Sequence, residues 1–180
     1  AKKKGWTVTG IEPNPSARNL ANEKAANSVF DTQALHQLLP NSFDVISLWH
    51  VLEHLPNLEE DIKLFYKLLK PNGRIVVAVP NYKSFDALYF KEYWAAYDVP
   101  RHLWHFSQQS ISKVFSEIQM NLESTRPLPM DAYYVSLLSN KLKTGSHRIL
   151  SSIWVGLLSN LKARSTGEYS SLIYILKNGN

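Results

Sequence analysis

Apolar positions along the chain fall into short β-branched runs separated by stretches with helical spacing. Trp6 to Glu12 reads as a strand closed by Pro13, after which Asn14 caps a helix with Pro15 in its first turn, running to about Ala26. Ser28 to Phe30 is a second short strand, and Phe43 to Trp49, following the Pro40-Asn41-Ser42 turn, has the pattern of a buried strand. Asn57 with Glu60 three residues on has the form of a capping box, and Ile62, Phe65, Tyr66 and Leu69 make the apolar stripe of the helix it opens. Pro71-Asn72-Gly73 then turns the chain into a continuous buried strand, Arg74 to Val79, which ends at Pro80-Asn81. Strands alternating with helices predict a parallel sheet with helices on its faces.

The second half is less regular. Tyr82 to Phe106 is long, irregular and dense in aromatic residues and histidine, the composition of a functional loop rather than of disorder. Ser107 caps a helix with Ile111, Val114, Phe115 and Ile118 on one face, and Leu122 to Thr125 reads as a strand. Tyr133 to Lys162 predicts two helices broken near Gly145, the second striped by Leu150, Ile153, Trp154, Leu157, Leu158 and Leu161. Ser170 to Leu176 is the closing strand, with no repeat or low-complexity tract anywhere.

Composition narrows the classes. With 180 residues, 44% of them apolar, the chain can bury a sizeable core, which excludes wholesale disorder. It has no cysteine, so a disulfide scaffold, a Cys-ligated zinc and a Cys nucleophile are excluded, and a reducing, cytoplasmic setting is expected. The longest apolar run, Ile149 to Leu158, is interrupted by two serines and is far short of the roughly 18 residues that span a bilayer. The opening Ala-Lys-Lys-Lys has no apolar segment behind it and so is not a signal peptide; lacking an initiator Met, the chain is expected to begin inside a longer protein.

The net charge of +5 sits in one place. Between Tyr133 and Gly167 there is no acidic residue, while Lys141, Lys143, Arg148, Lys162 and Arg164 account for the whole excess. Such a segment is either a solvated face of a packed helix or a surface for anionic membrane; nucleic acid is not the expected partner.

An acidic residue at the carboxyl end of a strand and ahead of a helix can accept hydrogen bonds from both hydroxyls of a ribose, and Glu12 is placed for that. The order of segments is more specific. Gly10-Ile11-Glu12-Pro13, Phe43-Asp44-Val45-Ile46, Val51-Leu52-Glu53-His54-Leu55, Leu68-Leu69-Lys70-Pro71-Asn72-Gly73 and Val79-Pro80-Asn81 follow one another at suitable intervals. Together they resemble the class I S-adenosylmethionine-dependent methyltransferases, in particular the ubiquinone-biosynthesis-like branch. The resemblance covers Trp6 to about Leu122 and is only topological beyond.

The resemblance implies an α/β fold: one domain over residues 1–180 with a Rossmann-like seven-stranded sheet, helices on both faces, and a helical insert at about 131–165 before the last strand. In that family the first strand ends in a glycine-rich turn, but no two glycines here stand at G-x-G spacing. The first strand and most of the first helix are therefore expected to be missing, with Ala1 to Lys4 the tail of that helix and tight cofactor binding by this stretch alone not expected. By family position Glu12 would bind the ribose of S-adenosylmethionine, Asp31 and Thr32 would lie by the adenine, and Trp49 and His50 would face the sulfonium, which an aromatic face attracts. Asn81, Asp98 and Arg101 would border the acceptor pocket, and His50, His102 and His105 are the candidate bases, each with a structural hydrogen-bonding role as its alternative. The implied reaction moves a methyl group to an oxygen, nitrogen or carbon of a small molecule. The insert would cap the acceptor pocket, and its apolar stripe would suit a lipid-like or aromatic acceptor, peripheral membrane contact or a homodimer.

Three competing readings remain. His50-Val-Leu-Glu53-His54 spells H-x-x-E-H, in which two histidines four apart on a helix hold zinc with Glu as general base. Against it, the motif directly follows a strand and Pro56 interrupts any helix, so no metal is expected. Small-RNA 2′-O-methyltransferases carry a similar metal-binding Glu/His cluster, which His50, Glu53 and His54 with His102 or His105 could imitate, although the first position is His rather than Glu. The third reading is a non-catalytic, methyltransferase-like binding module.

Overall fold

The computed structural model describes residues 2–179 and divides the chain into two compact units, 1–42 and 43–180. In the first, β1 (Gly10–Ile11) and β2 (Val29–Phe30) pair in parallel around α1 (Pro15–Ala25). Asn14 caps α1 by accepting a hydrogen bond from the Ala17 amide at 3.1 Å, and Asn22 grips both backbone groups of Val29 at 2.9 Å. The strand expected over Trp6 to Glu12 is thus only two residues long, because only Gly10 and Ile11 have ladder partners. Ala1 lies outside the described residues, and Lys2–Lys4, expected as the tail of an α-helix, form a single 3-10 turn.

The second unit holds the core. Its sheet runs β3 (Phe43–Trp49), β4 (Leu69–Pro80), β6 (Ser171–Asn178), β5 (Met120–Pro127). β3 and β4 are parallel, as expected, but β6 is antiparallel to both its neighbours, so the sheet is mixed. The reason lies in the connection from β5 to β6. The helices α5 (Pro129–Thr144) and α6 (Ile149–Thr166) are joined by a four-residue link, and such a pair carries the chain out and back. β6 therefore starts where β5 ends, with the Leu128 amide 3.1 Å from the Ser171 carbonyl.

Phe43 to Trp49, expected to be buried, forms an edge of this sheet and buries only Leu48. The true centre is β4 and β6, where Ile75, Val77, Leu172, Tyr174 and Leu176 are buried. Pro71-Asn72-Gly73 is a bulge inside β4 rather than a turn before it: Phe43 pairs with Leu69 and Val45 with Arg74. A side chain at Gly73 would place its Cβ 2.6 Å from Leu69 Cγ.

α2 (Leu58–Leu68) buries Leu58, Ile62, Phe65 and Leu68; of the expected stripe Ile62 and Phe65 lie in the core, Tyr66 is half-buried and Leu69 is the first residue of β4. Its expected capping box is absent, since Asn57 has ψ 58° instead of the extended value that aims a cap oxygen at the helix. The capping box occurs instead at the start of α4 (Gln108–Ser116), where Ser107 and Ser110 each accept from the other's amide at 3.2 and 2.8 Å.

Residues 82–106 are more ordered than an irregular loop. They contain α3 (Phe85–Phe90) and two 3-10 turns. The fully buried Asp86 anchors them, accepting hydrogen bonds from Trp94 Nε1 at 2.8 Å and from the hydroxyls of Ser159 and Ser170 at 2.7 Å. This joins α3, α6 and the approach to β6 through one carboxylate.

The apolar stripe of α6 faces outward. Leu150, Ile153, Trp154, Leu157 and Leu161 are exposed and Leu158 half-buried, while the buried face is Ser152, Val155, Gly156, Ser159 and Ala163. Among the described residues no helix is long and apolar enough to cross a membrane.

Candidate active site

In the first unit, β1 and β2 are parallel neighbours, so Glu12 and Asp31 both follow the carboxyl ends of strands, the position at which open α/β sheets bind ligands. One Glu12 oxygen accepts from the Asn14 amide at 2.9 Å, which holds the side chain in place and leaves the second oxygen for a ligand hydroxyl. Asp31 Oδ1 accepts from the amides of Gln33 and Ala34 at 3.0 and 3.2 Å, and Thr32 opens the exposed 3-10 turn that follows. Val29, Phe30, Asp31, Gln33 and Ala34 line an open depression beside this turn. Asp31 lines this depression, and Glu12 stands past the end of the neighbouring strand.

In the second unit, β3 ends in Trp49, which is 52% exposed, and His50, whose φ of 52° lies in the left-handed region. A non-glycine residue held there is strained, and such strain gathers at functional sites. The His50 amide is fixed on the Ala78 carbonyl at 2.9 Å. Its ring lies between two carboxylates, Nε2 3.3 Å from Asp131 Oδ2 and Nδ1 3.4 Å from Glu53 Oε1. The Asp131 contact first, and the Glu53 contact second, push the His50 pKa up to about 9 against the opposing effect of burial, so the ring is an imidazolium at neutral pH. Burial acts to raise the Asp131 carboxyl, but the contact with the His50 ring and the His50 charge outweigh it and hold the pKa below the usual value. Glu53 is 1% exposed and neither of its oxygens makes a hydrogen bond, which leaves His50 as its charge partner.

The segment after α3 is strapped onto this corner. Leu103 donates to the Glu53 carbonyl at 2.8 Å and Trp104 Nε1 to the Leu55 carbonyl at 2.8 Å. His54 Nδ1 meets the Arg101 carbonyl at 3.0 Å and His102 Nδ1 the Ala96 carbonyl at 2.8 Å. A carbonyl only accepts, so each ring carries a proton on Nδ1, which leaves the Nε2 of a neutral His102 bare. Burial lowers the His102 pKa and keeps that ring neutral. Its Nε2 is 3.8 Å from Asp98 Oδ2, and Asp98 Oδ1 also holds Arg101 at 2.6 Å.

The structure thus brings His50, His102, Asp98 and Arg101 around the Glu53–His54 corner. His105 stands beyond His102, its Nε2 on the Tyr97 carbonyl at 2.9 Å and its ring edge-on to Tyr97. Both ends of the buried Asn81 side chain are engaged, with Glu168 and Tyr169 on one side and the Lys83 amide on the other. Sequence reasoning missed Asp131, whose only signal was an acid in the first turn of a helix that follows a strand.

Among the described residues, Glu53, His54 and His102 are the group whose donor atoms gather, within 4.8 Å of one another. His50, the first residue of H-x-x-E-H, is not a member of this cluster. Nor does H-x-x-E-H lie on one helix: His50 is left-handed, residues 52–54 are a 3-10 turn, and both His50 nitrogens face carboxylates.

Each unit thus carries polar or aromatic side chains just past the carboxyl ends of parallel strands, Glu12 and Asp31 in the first and Trp49 and His50 in the second, as α/β ligand-binding folds do. A family model described as a methyltransferase domain matches residues 1–125, and the chain belongs to that family. Ubiquinone biosynthesis O-methyltransferase of Pseudomonas entomophila (strain L48) is 29% identical over 86 residues, covering 44% of this chain and 37% of that protein. An uncharacterized methyltransferase of Bacillus mycoides (strain KBAB4) is 34% identical over 87 residues, covering 46% and 41%. The matched stretch thus spans about two fifths of these curated relatives. A SAM-dependent methyltransferase from Archaeoglobus fulgidus superposes with a TM-score of 0.57 at 17% identity, over 98% of this chain and 78% of that one. Burkholderia thailandensis 1,6-didemethyltoxoflavin-N1-methyltransferase, with bound substrate and S-adenosylhomocysteine, superposes with a TM-score of 0.59 at 12% identity, over 99% and 64%. The fold is that of the S-adenosylmethionine-dependent methyltransferases.

Proposed function

We propose that the protein transfers a methyl group from S-adenosylmethionine to an oxygen, nitrogen or carbon of a small molecule. The observation that carries this reading is the family match over residues 1–125, which includes Glu12 and the His50–Glu53–His54 corner. Bound S-adenosylmethionine supplies a methyl group activated by a sulfonium. Glu12 accepts the ribose hydroxyls, Asp31 and Thr32 border the adenine, and the exposed Trp49 ring offers its face to the positive charge. On the acceptor side, the imidazolium of His50 supplies a fixed positive charge and Asp98, Arg101 and Asn81 shape the site. His102 has the bare Nε2 and neutral ring of a base; it takes the acceptor's proton, and Asp98 stabilises the imidazolium that forms. His105 supports the loop from the Tyr97 side. A cytoplasmic setting is part of the same reading.

The test is to incubate the full-length protein with methyl-labelled S-adenosylmethionine and the small-molecule, RNA and protein fractions of a cell extract. Label should appear in the small-molecule fraction, and His102→Ala should lower its rate by about a hundredfold or more with S-adenosylhomocysteine affinity unchanged. Label confined to RNA, or no label at all, contradicts the proposal; an unaffected His102→Ala removes the base assignment.

A further inference from the structure

The hairpin of α5 and α6 is built inside out. On α6 the outward stripe recurs at three- and four-residue spacing, with Leu150 85% and Trp154 61% exposed. On α5, Met130, Tyr134 and Leu142 are also exposed. What the two helices bury is small or polar: Ala132, Val135, Ser136, Ser139 and Asn140 on one, Ser152, Val155, Gly156, Ser159 and Ala163 on the other. Asn140 Nδ2 donates to Ser152 Oγ at 2.9 Å, and a Cβ at Gly156 would lie 2.6 Å from Tyr133 Cδ1. Small residues and hydroxyls at the seam with large apolar residues outside is how helices pack in lipid rather than in water. Neither helix is long and apolar enough to cross a bilayer, so the arrangement suits one that lies on it.

Charge selects the occupant. From Ala132 to Gly167 there is no acidic residue. Lys143 and Lys162 rest over the rings of Tyr89 and Phe85, leaving Lys141, Arg148 and Arg164 as exposed cations of the same hairpin. Arg164 falls on the stripe of Leu150, Leu157 and Leu161 by helical spacing. A twofold dimer through this face would set it against itself and bring cations together. Anionic headgroups neutralise those cations while the acyl boundary takes up the apolar side chains. We propose that the α5–α6 hairpin docks the protein on an anionic membrane surface. This goes beyond the methyl-transfer reading and does not depend on it.

The test is co-sedimentation of the full-length protein with vesicles of phosphatidylcholine, alone or mixed with phosphatidylglycerol. Binding to the mixed vesicles, weakened by salt and much lower on phosphatidylcholine alone, is the expected result. Lys141→Gln with Arg164→Gln should lower the partition coefficient about 30-fold, at about 1 kcal/mol per cation. Leu150→Ser with Trp154→Ser should abolish binding while the thermal midpoint is retained, because both side chains are in solvent. Equal affinity for the two vesicle types, no binding by the folded protein, or full binding by the Leu150→Ser/Trp154→Ser variant overturns the proposal. So does a dimer in sedimentation that these two substitutions dissociate, which would assign the face to a second copy.

Discussion

α2 and α6 both carry apolar residues at helical spacing, yet one stripe lies in the core and the other in solvent. The difference comes from what each helix meets. α2 packs on β4, where Ile75 and Val77 offer only hydrocarbon, and Ile62 and Phe65 are buried against the sheet side. α6 meets α3 and α5, where the buried groups are Asp86, Asn140 and the hydroxyl of Ser139. Turning α6 to bury its stripe would withdraw Ser159 from Asp86 Oδ1 and leave a buried carboxylate short of a donor. It would also remove Gly156 from the contact with Tyr133 that only a missing side chain allows. Periodicity fixes that a helix forms and which residues share a face; the partner decides which face is buried.

The sharpest way to break this comparison is to truncate both stripes. Phe65→Ala in α2 should cost about 3–5 kcal/mol in urea denaturation, as for other large core deletions. Trp154→Ala in α6 should stay within about 0.5 kcal/mol, the range of ordinary surface substitutions. Similar costs at the two positions would contradict the outward assignment of the α6 stripe.

A smaller effect reports on the polar root of the hairpin, where Asp131 of α5 meets His50. Because the His50 pKa is raised from 6.5 to about 9, its contribution to stability is fully present below pH 6.5 and is lost as pH rises through about 9. The ring is partly exposed, so solvent screens the pair and the loss is modest. Its midpoint in an NMR titration should lie near 9 and fall with Asp131→Asn, which removes the largest of its causes. A wild-type midpoint near 6.5 would mean that the hairpin root is not tied in this way.

The same contrast explains what was legible in the sequence. The bounds of β3, the carboxyl end of β4, the buried Ile62 and Phe65 of α2 and the Ser107 cap follow from local pattern, and so did the positions that resemble the methyltransferases. What escaped depended on residues far apart in sequence. The direction of β6 follows from a two-helix connection, and the β4 bulge from a pairing with β3 that Pro71-Asn72-Gly73 disguised as a turn. Asp131 is 81 residues from His50, and no spacing rule joins an acid in one helix to a histidine after a distant strand. The histidines of the long loop were visible, but the ring nitrogen each commits depends on the carbonyls of Ala96 for His102 and Tyr97 for His105, which only the folded chain supplies.

The central claim is that Glu12 holds the cofactor of a methyltransferase, and calorimetric titration of S-adenosylhomocysteine into the full-length protein and its Glu12→Ala variant tests it most directly. The account predicts saturable binding to the wild type and an affinity lower by about tenfold to a hundredfold in the variant, the loss of hydrogen bonds to a charged acceptor. No binding to the folded wild type, or an affinity in Glu12→Ala equal to it, would contradict the account.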